Sequence, residues 1–292
     1  MLKYFAFLAL ILQFSLQDVF GQSVNSNNFP AQDIQTYFAW KPNKKPIYSA
    51  HRGGPQKGLP ENALETLKYS QELGVEILEI DVNMTKDSVL VLLHDNSLDR
   101  TTTGTGMICE KMYNEIQDFT LVDGDGNKTT YFIPKLDSVL SWAKGKVILS
   151  VDIKKNVPFE KVAESVKKFN MENNVIIIAY SIEALKNIDE IAPELMISAN
   201  IRNLKELDSV INSKVSFSKI VAFTGTIVSD KLLYKKIHDL GSSCIIGTMG
   251  NLDRQAKVKG ISVYHSLFEM GIDIIAGDES DLILEAIEHY KN

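Results

Sequence analysis

Four short stretches carry residues that could do chemistry. The first is Ser49-Ala50-His51-Arg52-Gly53-Gly54. It sets a titratable imidazole beside a permanent guanidinium. The planar fork of arginine donates paired hydrogen bonds to a phosphate or carboxylate, and the glycines let backbone come close to a bound group. A purely structural His–Arg pair would use the same residues. The second is Glu79-Ile80-Asp81. In an extended strand Glu79 and Asp81 share one face and Ile80 takes the other. Two such carboxylates repel unless a cation lies between them, and a hard divalent ion, Ca²⁺ or Mg²⁺, takes oxygen ligands of this kind. A solvated strand face is the competing explanation, opposed by the apolar neighbours Val75, Ile77, Leu78 and Val82.

The same spacing recurs at Asp152-Ile153-Lys154. Asp152 can complete a carboxylate set with Glu79 and Asp81, leaving Lys154 to reach a phosphoryl oxygen. The two can equally form a buried ion pair. The last stretch, Leu92-Leu93-His94-Asp95, supplies a second imidazole. Two histidines can divide general acid and general base, because their ordinary pKa lies near neutrality. Asp95 is placed to orient one of them. His238, His265 and His289 lie in helical patterns with no neighbouring motif and read as structural or surface residues.

These residues must be positioned by the elements around them. From Ile47 onward, short β-branched runs alternate with helical patterns such as Ala63–Leu73, Phe159–Asn170 and Ile182–Ile191. That alternation predicts parallel βαβ units. Nine runs read as strands: Ile47–Ala50, Ile77–Val82, Val89–His94, Val147–Ile153, Val175–Tyr180, Met196–Ala199, Ile220–Phe223, Cys244–Thr248 and Ile272–Gly277. The link from Val82 to Val89 is too short for a parallel crossover, which needs a dozen residues or more. Val89–His94 therefore pairs antiparallel, through a turn at Lys86-Asp87-Ser88. Eight parallel strands remain, and the expected fold is α/β: a (β/α)₈ TIM-type barrel with an inserted hairpin and a small insertion after the second barrel strand. The insertion, Asn96–Gly145, holds a possible helix near Glu110–Gln117. Its run Asp123-Gly124-Asp125-Gly126-Asn127 reads as a hairpin turn, since it lacks the spacing and closing Glu of a calcium loop.

The chain has 292 residues, 45% of them hydrophobic and 23% charged, which suits one large globular unit. Its formal net charge of −6 offers no broad basic field for nucleic acid. Residues 1–22 read as a signal peptide, with Lys3 before the apolar run Tyr4–Leu16 and a cleavage point near Gly21–Gln22. Export to the periplasm or beyond the cell is the expectation, with no stable membrane insertion after cleavage. Residues 23–46 read as a polar lead-in draped over the surface, and residues 47–292 as the barrel. Cys109 and Cys244 lack metal or redox spacing and are expected to be buried free thiols. Oligomeric state is not legible.

Taken together, the motifs resemble the glycerophosphodiester phosphodiesterases of the PLC-like phosphodiesterase group. The matching pieces are His51-Arg52-Gly53, Pro60-Glu61-Asn62, Glu79-x-Asp81-Val82, Thr85-Lys86-Asp87, His94-Asp95 and Arg100-Thr101-Thr102 with Gly104. Weaker echoes follow at Asp152-x-Lys154 and from Gly271 through Asp278. The resemblance implies His51 and His94 as acid and base, Arg52 and Lys154 on the substrate phosphate, and Glu61 as a supporting residue. It further implies Glu79, Asp81 and Asp152 around a divalent metal, with a small glycerophosphodiester as substrate. A phospholipase D-like or sphingomyelinase D-like enzyme acting on intact lipids, or a non-catalytic binder of phosphate ligands, are the alternatives. Three departures stand out: Ala63 where the family usually has Thr, Asp152 where it usually has Glu, and Gly247-Thr248-Met249-Gly250 where it often has Trp-Thr-Val-Asn. The last removes an aromatic wall.

Overall fold

Every barrel strand carries a large apolar residue at its first or second position, and those residues meet in one layer. In the computed structural model, which describes residues 29–291, eleven strands form. They are β1 (Ile47–Ala50), β2 (Ile77–Met84), β3 (Leu90–Leu92), β4 (Thr120–Val122), β5 (Lys128–Phe132), β6 (Ile148–Ile153), β7 (Val175–Ala179), β8 (Met196–Asn200), β9 (Ile220–Phe223), β10 (Cys244–Gly247) and β11 (Ile274–Gly277). Parallel pairing runs β1-β2-β6-β7-β8-β9-β10-β11 and closes from β11 onto β1. This is the expected eight-stranded (β/α)₈ barrel. Strand β3 folds back antiparallel on β2, with Val82 opposite Leu92, as the short Val82–Val89 link requires. The segment taken as the signal peptide, residues 1–22, lies outside the described residues, as do residues 23–28 of the lead-in.

Ile47, Ile77, Ile148, Ile176, Ile245 and Ile274 fill the lower interior of the barrel. The outer faces of the strands pack against the helices in a second, larger core. The lead-in does more than drape. Its short helix Ile34–Phe38, capped where Asp33 accepts from the Thr36 backbone N–H, buries Ile34, Tyr37 and Phe38 in the interior layer. Three apolar residues in a polar stretch thus plug the floor, because an eight-stranded barrel leaves side chains at its open bottom to be covered. A third apolar cluster, including Val91, Leu93, Leu98 and Ile133, lies under the insertion.

Within that insertion the turn after β4 is a hairpin turn. Asp123 accepts from the Asn127 backbone N–H at 2.8 Å and from Asn127 Nδ2 at 3.1 Å. It also accepts from the backbone N–H of Gly58, in the loop after β1, at 2.9 Å. These donors, Gly58 first, hold its carboxyl down at about 2. Of the two cysteines, Cys244 is buried as expected, but Cys109 is exposed, because the 3₁₀ turn Ile108–Glu110 turns only Ile108 inward. His238 is structural: it donates from Nε2 to Asp273 at 2.9 Å and stacks on Trp40 at 4.6 Å. Among the described residues no helix is long and apolar enough to cross a membrane.

Phe38 is 1% exposed in the floor layer. Phe38→Ala is expected to lower unfolding free energy by about 3–5 kcal/mol, read from urea denaturation. A loss under about 1 kcal/mol would show that the plug adds little to the barrel.

Candidate active site

All the sequence-predicted site residues sit at the C-terminal end of the barrel, where strand ends and loops converge. On β2 and β6 the parallel register places Asp81 directly beside Asp152. Period-two alternation then brings Glu79 to the same interior face. The carboxylate oxygens of Glu79, Asp81 and Asp152 all lie within 4.8 Å of one another. Glu79 and Asp81 are 9% and 1% exposed, which rules out a solvated strand face. Burial, then the charge of Asp81, pushes the Glu79 carboxyl up to about 8. Three carboxylates this close together repel one another unless positive charge lies between them. An all-oxygen donor set with this demand fits a hard divalent cation.

Lys154 donates to Asp81 Oδ1 at 2.6 Å and to Asp152 Oδ2 at 2.7 Å. Burial alone would depress its ammonium, but the two carboxylates raise it above its ordinary value. The ion-pair alternative for Asp152 and Lys154 is thus the arrangement present, and Lys154 points into the carboxylate cluster. Asn62 braces the other side of Asp81. Its Nδ2 donates to Asp81 Oδ2 at 2.7 Å, and its Oδ1 accepts from the Asp81 backbone at 2.9 Å.

The loop after β1 is bent tightly around this cluster. Arg52 (φ 51°) and Asn62 (φ 60°) both adopt left-handed backbone conformations, uncommon for residues with a side chain and concentrated at functional sites. The Arg52 bend directs its backbone N–H to Glu79 Oε2 at 2.6 Å. Its Nη1 donates to both Glu61 oxygens at 3.0 Å. Its Nε is buried with no hydrogen-bond partner, 3.9 Å from Asp81 Oδ2. A buried guanidinium N–H left unpaired is a donor awaiting an acceptor.

Each imidazole is anchored by a carboxylate. His51 Nδ1 donates to Asp278 Oδ1 at 2.7 Å, and His94 Nδ1 donates to Asp95 Oδ1 at 2.7 Å. A carboxylate only accepts, so Nδ1 carries the proton in both rings and Nε2 is left for other work. Burial lowers the His51 pKa, but the Asp278 hydrogen bond and the charges of Glu79 and Asp278 outweigh it and raise it overall.

Asp95 was expected as an orienting residue. Asp278 was visible only as the end of a weak motif echo. Arg100 was matched as a motif without a role. It clamps Glu61 with two bonds at 2.7 and 2.8 Å and Asp95 with two at 2.6 and 2.9 Å. A chain of charges, Arg52–Glu61–Arg100–Asp95–His94, therefore spans the mouth. Burial would raise the Glu61 carboxyl, yet Arg100 and Arg52 hold it below its ordinary value. A cavity of about 660 Å³ opens beside His51, Arg52 and Asp278. Its far walls include Lys57, Asp125 and Met249.

Residues 51–282 match the model of the Glycerophosphoryl diester phosphodiesterase family. A glycerophosphoryl diester phosphodiesterase from Parabacteroides distasonis superposes with a TM-score of 0.83 at 32% identity, over 87% of this chain and 90% of that one. A curated glycerophosphodiester phosphodiesterase from Caldanaerobacter subterraneus is 33% identical over 160 residues. That match spans 52% of this chain and 65% of the relative, just short of two thirds of its length. A phosphodiesterase from Oleispira antarctica, solved with the product sn-glycerol-3-phosphate, shares the fold at a TM-score of 0.68 and 19% identity, covering 88% of this chain and all of that one.

Asp278→Asn removes the charge that favours protonated His51. The His51 titration midpoint is expected to move to lower pH, followed by the imidazole resonances in NMR. A midpoint that stays put would show that Asp278 does not set its protonation.

Proposed function

Since the chain belongs to the glycerophosphoryl diester phosphodiesterase family, we propose that it hydrolyses small glycerophosphodiesters to glycerol phosphate and an alcohol. The observation that carries this reading is the pairing of two imidazoles, each with Nδ1 anchored on a carboxylate, at one mouth that also holds three clustered carboxylates. The product found with the Oleispira phosphodiesterase, sn-glycerol-3-phosphate, is the product expected here.

Glu79, Asp81 and Asp152 would hold the divalent cation, Ca²⁺ or Mg²⁺. Such an ion supplies charge stabilisation to the non-bridging phosphate oxygens. The unpaired Arg52 Nε–H is suited to a phosphate oxygen. Lys154, on its flexible stem, can turn from the Asp81–Asp152 pair to a second one. One imidazole takes a proton at Nε2 from the nucleophile, either water or the substrate's neighbouring hydroxyl. The nucleophile's oxygen bonds phosphorus, and the P–O bond to the alcohol breaks; where the hydroxyl attacks, the product is a cyclic phosphate, which water then opens to glycerol phosphate by breaking one ring P–O bond. The other imidazole gives the departing alkoxide its proton from Nε2. Asp278 and Asp95 keep each ring in the required tautomer and stabilise its charged form. Glu61 supports the phosphate side by fixing Arg52 and Arg100. Export, read from residues 1–22, belongs to the same proposal.

His51→Ala and His94→Ala are each expected to lower kcat by about 10²–10⁴-fold, with unchanged thermal melting. Full activity in both variants would reject the assignment. Chelation should abolish turnover of glycerophosphoethanolamine, and added Ca²⁺ or Mg²⁺ should restore it. Turnover that survives exhaustive chelation would remove the cation from the scheme.

A further inference from the structure

Two acids of the cluster each have a neutral donor that fixes the carboxylate independently of the charges nearby. Glu79 has the Arg52 backbone N–H, and Asp81 has Asn62 Nδ2. Asp152 stands differently. Its Oδ2 accepts from Lys154 at 2.7 Å, and that ammonium is the one needed on the substrate phosphate. A lysine that turns to the phosphate takes this anchor away. Asp152 is also the acid that departs from the family pattern, and it is one methylene shorter than the usual Glu. A shorter side chain has less reach toward a cation, so its carboxylate gains most from being held in one orientation.

The neighbouring strand supplies a group for this. Strands β6 and β7 pair in parallel, with Ser150 opposite Ile176 and Val151 opposite Ile177. Carried onward, that register sets Asp152 beside Ile178 and Lys154 beside Tyr180. Ile176 belongs to the interior layer of the barrel, whereas Ile177 and Ala179 belong to the outer core. Period-two alternation therefore gives Tyr180, directly after β7, the interior face that Asp152 also takes.

The tyrosine ring is at the open surface of the mouth, and the residue as a whole is 62% exposed. Its hydroxyl hydrogen-bonds Asp152 and feels the charges of Glu79 and Asp81. A phenol keeps its proton at neutral pH and a carboxylate only accepts, so the hydroxyl donates to Asp152. Each of the three acids thus has one neutral donor of its own. A carboxylate has about four lone-pair sites, enough for a phenol, an ammonium and a cation together.

We propose that Tyr180 is a positioning residue for the cation, holding the short Asp152 carboxylate in its ligating orientation when Lys154 turns to the phosphate. The inference rests on the reading of Glu79, Asp81 and Asp152 as cation ligands, and it assigns a role to a residue outside every matched motif. Partners of this kind orient a ligand and tune its affinity without touching the ion.

The test uses the full chain, stripped with EDTA and titrated with Ca²⁺ and with Mg²⁺ by calorimetry. The variant is Tyr180→Phe, which keeps the ring and removes only the hydroxyl. It is expected to bind the ion that the wild type binds about 10–100-fold more weakly, with the melting temperature of the stripped protein unchanged. Equal affinity in wild type and variant overturns the role of Tyr180. A raised KM for glycerophosphoethanolamine with cation affinity unchanged overturns it too, as a direct substrate contact. Weaker binding that comes with a lower melting temperature of the stripped protein overturns it as a loss of fold. In all three of these results the wild type still binds the ion, so the cation reading stands. A wild type that binds neither ion overturns that reading and the role of Tyr180 with it.

Discussion

Three carboxylates within 4.8 Å of one another, two of them buried and Asp152 partly so, set the terms for everything around them. Like charges at that distance in a poorly solvated place cannot all persist without compensation. The rest of the site supplies it in part: Lys154 bridges two of the acids, Asn62 braces Asp81, and the Arg52 backbone turns into a left-handed bend to give Glu79 an N–H. The remaining repulsion falls on Glu79, whose carboxyl is pushed up by burial and by the charge of Asp81. A pocket arranged this way is complementary to a cation and, through that cation, to an anionic phosphate.

The two histidines gain their orientation from the same electrostatic economy. Each has a private carboxylate, yet the His94–Asp95 pair is tied through Arg100 and Glu61 to Arg52, which touches the acids directly. Charge-assisted, bidentate contacts of this type fix geometry more firmly than neutral ones. The mouth is thus preorganised from both ends, and the barrel strands beneath it need only hold the register that sets Asp81 beside Asp152.

Much of this was legible in the residues. Strand periodicity, the eight-strand count and the short Val82–Val89 link were enough for the barrel and its antiparallel extra strand. The motif histidines and acids were also readable, because each needs a particular residue type at a strand end. Less visible was anything that depends on distant chain segments meeting. Asp278 lies 227 positions from His51, and no local pattern links them. Arg100 was seen without its partners. The floor plug was hidden because Ile34, Tyr37 and Phe38 sit among polar residues, and their burial follows only from barrel closure. Cys109 is exposed rather than buried, since a three-residue 3₁₀ turn decides which of Ile108 and Cys109 faces inward.

The Asp123 carboxylate fastens the tip of the β4–β5 hairpin to the Gly58 loop, and the segments on either side of that knot, Gln56–Lys57 and Gly124–Asp125, together form one wall of the mouth. Neither segment contributes one of the three clustered carboxylates or either motif imidazole. What the wall admits can therefore drift, by changes in hairpin length or tip sequence, without disturbing the reacting centre, provided the Asp123 fastening is kept. A descendant with a new diet would need a new awning, not a new hearth.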